Sequence, residues 1–477
     1  MGNAMKWLAA TLALGASGCT PPAVGIDGGD GGVDGGSSDA GDAGVIDAGP
    51  RDAGPADLDF AIVRFNADGT LDSTFADGGI ARVDLGVGAG TLRDTLWGIS
   101  RDSTDRLVLF GHTKAAGRAD LDRTVFRLTA NGALDTTFGT QGVHRLDLGN
   151  LSDNSRHGFV QPDGKIISTG YTPQPSGVGT QSIARIVILR LDANGAPDPT
   201  FGDGGVVNSA PFASMSPTVE WGLTESYAVG LQNNRYISGG YGYSTLTPKT
   251  QNQIAFRYST SGVLDPTWGT AGTFELDLVG NDDRVRHLQV LNDDRVLLVG
   301  SGSPAANQVR AMVTMLTPNG VLDTTFNTTG YKLFNFNRPE DAFFGVALSP
   351  TGSVVAAVGH RTGGGEDDDS TLLLLPVTAG APAEFAQAVP TSETGNDRFF
   401  NVAFDSTGKA VAVGYVVEAG DSKMVVARFN TDGSRDTTFG TGGIVIVNVS
   451  VGRTDETARG VVIQSNGKIV IAGVADH

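Results

Sequence analysis

The hexapeptide Leu-Asp-Thr-Thr-Phe-Gly, or a near copy, returns along the chain at intervals of about 60 residues. It reads LDSTFA at Leu71–Ala76, LDTTFG at Leu134–Gly139, PDPTFG at Pro197–Gly202, LDPTWG at Leu264–Gly269, LDTTFN at Leu322–Asn327 and RDTTFG at Arg435–Gly440. A repeat of this period is one supersecondary unit copied many times, so it sets the architecture before any single residue is weighed. A length of 477 residues would otherwise suggest two or three domains. Evenly spaced units stack instead into one continuous body.

Each unit has two halves. One is a strand and turn leading into the hexapeptide, with turn glycines at Gly69, Gly132, Gly195, Gly262, Gly320, Gly380 and Gly433. The other is a strand, a turn and a second strand, ending at Gly111, Gly170, Gly240, Gly300, Gly359, Gly414 and Gly473. A further short strand follows the hexapeptide. Short β-branched runs broken by Asn-Gly, Asp-Gly and Asn-Asp make the chain all-β. Four strands in each of seven units predict a seven-bladed β-propeller. The last copy stops half-way through a unit and the first, from Leu58, supplies the missing half. Strands from both termini are therefore expected to close the ring in one shared blade, leaving none of the free edges of the alternative, a β-solenoid.

The pattern D-G-K-I-V-x-A-G, followed by R-x-N-x-D-G-x-L-D-x-T-F-G, covers about Asp57–Gly473. It resembles the delta-60 repeat family of secreted bacterial proteins. The resemblance implies a β-propeller-like fold and secretion; the family has no assigned function, so it implies no activity.

The N-terminus carries an address. Lys6, the apolar run Trp7–Ala16 and the small residues Ala16-Ser17-Gly18 precede Cys19, the only cysteine. About ten apolar residues fall short of the roughly 20 that span a bilayer, so residues 1–18 read as a signal peptide. The segment is similar to a bacterial lipoprotein signal, which implies that Cys19 is the lipidated first residue of the mature chain and the sole membrane contact. Residues 19–56 are rich in Gly, Ala and Asp and too poor in branched apolar side chains to fold, hence a tether; residues 57–477 are the propeller. The expected location is the bacterial envelope, with the outer membrane or cell surface favoured.

A net charge of −18 excludes a basic stripe for nucleic acid. One cysteine excludes an internal disulfide, leaving packing and strand pairing to hold a monomeric fold.

Residues repeated in every copy read as architecture. Arg64, Arg127, Arg190, Arg257 and Arg428 precede the turn glycine by five, and Asp72, Asp135, Asp198, Asp265 and Asp436 follow it by three. Each pair is expected to fix its turn by charge-assisted hydrogen bonds. The fifth copy has Met315 with Asp323, and the sixth loses both partners. Beside that irregular sixth copy, Gly363-Gly-Gly-Glu-Asp-Asp-Asp369 reads as an acidic loop, making Asp367, Asp368 and Asp369 a weak candidate cation site.

Positions that vary between copies are the functional candidates. Just before each inner strand stand Trp97, His157, Tyr227, His287, Phe344, Phe400 and Arg459, expected to ring one mouth of the central channel. After the second strand stand His112, Tyr171, Tyr241, His360 and Tyr415. Such groups suit stacking on sugar or peptide, although the same residues also suit packing between blades. The chain has no G-x-S-x-G elbow, H-E-x-x-H or P-loop, and no cofactor is implied. The expected function is a tethered, non-enzymatic binding module for an envelope protein or glycan. The alternatives are a hydrolase or lyase acting on glycan or ester in the channel, and a scaffold subunit of an envelope complex. Cys19→Ser is expected to release the protein from membranes and abolish lipid labelling; unchanged fractionation would refute the anchor.

Overall fold

The alternating β-branched runs fold as the repeat requires. The structure, a computed structural model, describes residues 46–47, 58–85, 94–114, 120–149, 151–175, 182–212, 224–242, 250–278, 282–450 and 456–476. The leader, Cys19 and all of the tether except Ile46–Asp47 lie outside them. Among the described residues there is no helix.

Strands pair with their sequence neighbours as four-stranded antiparallel meanders. Sheet 1 runs Thr95–Arg101, Leu107–Lys114, Leu121–Leu128 and Val143–Leu146. Sheets 2 to 6 repeat this order, their first strands being Asn154–Val160, Thr224–Gln232, Arg284–Val290, Glu340–Leu348 and Asp397–Phe404. Sheets 4 and 5 are joined by one parallel pair, Val309 with Glu340. Ile46–Asp47 adds a short parallel strand beside Ile444–Asn448. Sheet 7 draws on both ends of the chain: Thr457–Ile463 and Ile469–Asp476 pair with Leu58–Phe65 and Ile80–Val83.

The middle strands are nearly continuous apolar runs because both of their faces are covered; Leu58–Phe65 is buried along its whole length. Each consecutive pair of sheets encloses its own apolar layer. Ile167, Ile188 and Phe256 fill the one between sheets 2 and 3, and Val413, Val426 and Ile471 the one between sheets 6 and 7. Phe60, Leu109 and Phe126 then join sheet 7 to sheet 1.

A polar clamp accompanies these layers. Arg64 Nε meets Asp72 at 2.6 Å, Arg127 meets Asp135 at 2.8 Å, Arg190 meets Asp198 at 2.9 Å and Arg428 meets Asp436 at 2.7 Å. Arg257 Nε pairs with Asp265 in the same way, at 3.0 Å. The other arm of each guanidinium leaves its own sheet. Nη1 of Arg64, Arg127 and Arg190 donates to the carbonyls of Ala130, Ala193 and Thr260, each at 2.6 Å, in the turn of the following sheet. Arg428 reaches Ala67 in the same fashion, from sheet 6 to sheet 7. The hexapeptide aromatic lies under the guanidinium, 4.6 Å away for Phe75 and 4.8 Å for Phe138. Its edge fills the space beside the next turn glycine: a methyl group on Gly132, whose φ is +89°, would overlap Phe75.

The irregular copies recover parts of the clamp from elsewhere. Where Met315 replaces arginine, Arg295 from the neighbouring hairpin pairs with Asp323 at 3.5 Å and donates to the Val377 carbonyl at 2.9 Å. Where the sixth hexapeptide is missing, the Phe385 ring lies against turn Gly433. Removing a buried cation leaves its carboxylate uncompensated. Arg127→Met is therefore expected to cost about 3 kcal/mol in denaturant unfolding; a loss below about 1 kcal/mol would show the clamp to be incidental.

Candidate functional site

The first strand of every sheet is broken by a one-residue register shift. The extra residue is Trp97, Arg156, Tyr227, Arg286, Phe344, Phe400 or Arg459 in turn, so each varying position lies within the strand and not ahead of it. Two expected members are corrected. His157 and His287 are the residues after the bulge, and Arg156 and Arg286 hold the equivalent places. The signal that could have found them was the glycine in the partner strand. The bulge lays the carbonyl of the residue two before it over that glycine, as Glu225 does over Gly240 and Arg284 over Gly300, where a Cβ would overlap the oxygen.

The seven bulge residues touch in unbroken sequence. Arg156 lies over Trp97 at 4.1 Å and Tyr227 at 4.7 Å. Arg286 lies over Tyr227 at 5.1 Å and Phe344 at 5.5 Å. Phe344 meets Phe400 edge-on at 5.3 Å, and Arg459 returns over Phe400 at 4.2 Å and Trp97 at 4.5 Å. Cations and π faces thus alternate around most of the circuit.

The second set lies inside the second strands, one residue after those glycines, and backs the circuit. Arg156 Nη2 donates to the Tyr171 hydroxyl at 2.7 Å and the Tyr227 hydroxyl at 3.3 Å. The hydroxyls of Tyr227 and Tyr241 are 2.8 Å apart. His360 stacks on Phe344 at 5.2 Å, and Tyr415 lies beside Phe400 at 5.9 Å. His112 is buried near Arg156 and Arg123; burial, then those cations, hold it at about 3. Burial, then Arg398 and Arg286, keeps His360 well below the usual imidazole range. Burial also raises the Glu225 carboxyl, against the pull of Tyr241, Arg156, Arg286 and Arg284.

His157 and His287 meet edge-on with ring centroids 4.5 Å apart. Burial lowers His287 to about 4. Burial and the neighbouring His287 hold His157 well below its ordinary value. Both are therefore neutral at pH 7, and Nδ1 of His287 takes the Leu288 backbone N–H at 3.0 Å.

Asp367, Asp368 and Asp369 lie in the strand Glu366–Pro376 of a hairpin, not in a loop. Asp368 is held by Arg398 at 2.5 Å and Asp369 by Arg361 at 2.7 Å. Carboxylates gather more closely elsewhere: Asp59, Asp84 and Asp94 form one group, Asp120, Asp122 and Asp147 another, with ligand atoms within 4.8 Å of one another.

A family model described as "domain of unknown function (DUF5122) beta-propeller" matches residues 54–75, 161–201, 291–326 and 406–439. The solved structures similar to this chain include the periplasmic gluconolactonase of Pseudomonas aeruginosa, at 11% identity and a TM-score of 0.40, covering 79% of this chain and 87% of that one. They also include the α-L-arabinofuranosidase of Fusarium graminearum, at 10% identity and TM-score 0.40, covering 80% and 92%. The β-propeller domain of the Trilobed protease from Pyrococcus furiosus matches at 9% identity and TM-score 0.34, covering 70% and 80%. No curated protein matches.

Three residues ahead of each bulge stands a buried acid that the sequence reading missed: Asp94, Asp153, Asp283, Asp341, Asp397 or Glu456, with Thr224 in sheet 3. The acid accepts backbone N–H groups of the previous sheet and of the loop arriving from it. Asp397, for example, takes Ser370, Thr391 and Ser392 at 2.8, 3.0 and 3.1 Å. Burial pushes Asp283, Asp341 and Asp397 up to about 6 and Glu456 up to about 7. These groups hold protons in the folded chain that the unfolded chain releases, so they stabilise at low pH and lose that contribution as pH rises from about 4 to 7. The clamp carboxylates behave oppositely. Burial would raise Asp72, Asp198 and Asp436, but their cation and threonine hydrogen bonds outweigh it, so their contribution is lost as pH falls below about 4. The buried histidines oppose those acids: held below their ordinary value, His112, His157, His287 and His360 add stability as pH rises toward about 6.5, so the contribution of one acid is read by removing it. Glu456→Gln is expected to escape a loss on the order of 3 kcal/mol that the native chain suffers between about pH 4.5 and 7; a stability difference between native and variant that is the same at about pH 4.5 and about pH 7.5 would contradict it.

Proposed function

We propose that this chain is an exported, lipid-anchored, non-enzymatic binding module: a seven-bladed β-propeller, closed through its shared terminal sheet, whose arginine- and aromatic-lined mouth takes an acidic sugar of the envelope. Closure is supported by the pairing of Leu58–Phe65 with Ile469–Asp476 and by the apolar layer between sheets 7 and 1. The anchor is supported by the run from Lys6 to Cys19.

The observation that carries the ligand is Arg286. Its guanidinium lies among the rings of Tyr227, Tyr241 and Phe344 at 5.1, 5.6 and 5.5 Å, and it makes no hydrogen bond or ion pair with any described residue. A fork of five donors beside π faces is chemistry for a carboxylate on a ring. In a chain of net charge −18, a concentration of Arg156, Arg286 and Arg459 also makes this the place an anion is drawn to.

Titration calorimetry with galacturonate and its di- and trisaccharides tests the reading. Binding to the native chain is expected, with at least a tenfold loss in Arg286→Ala at unchanged melting temperature. An absence of binding, or equal binding by the variant, would refute it. The raised Glu225 carboxyl, in contact with this tyrosine cluster, favours a second reading, a hydrolase or lyase with Glu225 as general acid. Turnover of the same oligosaccharides, lost in Glu225→Gln, would establish that reading over simple binding.

A further inference from the structure

A second site lies at the far end of the same strands, at the junction of sheets 2 and 3. Gln161 follows directly on the strand Asn154–Val160 and is 8% exposed. The equivalent glutamines show what this position does elsewhere. Gln232 takes Arg257 Nη1 on its oxygen at 2.9 Å and donates its amide to the carbonyls of Asp294 and Pro318 at 2.6 and 3.1 Å. Gln464 accepts from Arg64 Nη1 at 3.3 Å and donates to the Asp105 and Ala130 carbonyls at 3.2 and 3.4 Å. In both, one carboxamide sews its sheet to the next.

Gln161 does not. Two local changes prevent it. The Tyr236 hydroxyl is inserted between the partners, taking Arg190 Nη1 at 3.1 Å and donating to Gln161 Oε1 at 3.0 Å. The facing turn is also one residue shorter than its counterparts: Gln232 pairs directly with Arg235, and Asn233 and Asn234 both adopt positive φ. The Gln161 amide nitrogen is left buried without a hydrogen-bond partner. Rotating the amide only exchanges which end is stranded. Beside it is a cavity of about 420 Å³, whose lining includes Gln161, Lys165, Thr200, Asn234, Tyr236 and Ser261.

We propose that this cavity binds a neutral sugar, with the Gln161 carboxamide as its central polar contact. The volume lies within the range of ligand pockets and suits one or two pyranose rings. The charges around it already cancel. Lys165 and Arg190 both pair with Asp198, at 2.8 and 2.9 Å, and Asp163 accepts the Lys165 backbone N–H at 3.1 Å. An anion would have to break those pairs, whereas hydroxyl groups can bridge the remaining amide and hydroxyl donors and acceptors. The site is separate from the bulge circuit, since Gln161 stands five residues beyond Arg156 along an extended chain, about 16 Å.

Saturation-transfer NMR on the full mature chain is the test, with a panel of glucose, galactose, mannose, N-acetylglucosamine, cellobiose and lactose, plus acetate and phosphate as anion controls. At least one sugar should receive transfer at millimolar concentration. Gln161→Leu should weaken it at least tenfold. Replacing Asn233-Asn234 by Ser-Asn-Gly, the sheet 7 turn at Ser465-Asn466-Gly467, should do the same by restoring the carbonyl and filling the space. Both variants should melt within a few degrees of the native chain, and Arg286→Ala should leave this sugar bound. No transfer to any sugar, transfer to the anions alone, or undiminished transfer in either variant would overturn the proposal.

Discussion

One arginine in each regular copy ties three things together, and the arrangement of the sheets depends on it. Its Nε face neutralises the hexapeptide aspartate, its Nη1 crosses to a backbone carbonyl of the next sheet, and its flat face covers the hexapeptide aromatic. Apolar burial supplies most of the driving force between sheets but is non-directional, and greasy layers alone would permit sliding. A fixed fork of donors sets the stagger of one sheet on the next.

That division explains why the fold was legible. The clamp needs the same residue types at the same spacing wherever it occurs, so it leaves a visible repeat. The departures were legible as departures and not as solutions. Nothing local to Met315 announces that Arg295 takes over its role, or that Phe385 supplies the ring missing from the sixth hexapeptide, because both replacements arrive through tertiary contact. Gly363–Asp369, the tip of the hairpin of Val354–Gly363 and Glu366–Pro376, reads as a loop for a related reason. A run of glycine and aspartate resembles solvated chain unless the arginines that pair with it are in view.

The site was half legible. Choosing positions that vary between copies led to the bulge residues in five of the sheets and to the neighbour in two. A bulge inserts a residue that counting from the hexapeptide cannot see, and Arg156-His157 and Arg286-His287 each offer two plausible side chains at the step. The glycine beneath the bulge was visible throughout, but its meaning was not. It is small because a carbonyl from the other strand occupies the space of its side chain. The buried acids at the strand starts stayed hidden because aspartate in an acidic chain carries no signal of its own.

The sharing of sheet 7 between the two ends of the chain has a temporal side. Leu58–Phe65 is hydrogen-bonded along its whole length to Ile469–Asp476, so its partner is synthesised long after it. Pairing across that sequence separation cannot begin until the intervening sheets have formed or the whole chain is available. Until then a strand buried along its whole length in the finished fold lacks one of its two neighbours, and the early part of the molecule waits for the late part. A chain cut short before Ile469 thus keeps one edge of Leu58–Phe65 without its partner strand, a row of unpaired backbone groups open to other chains.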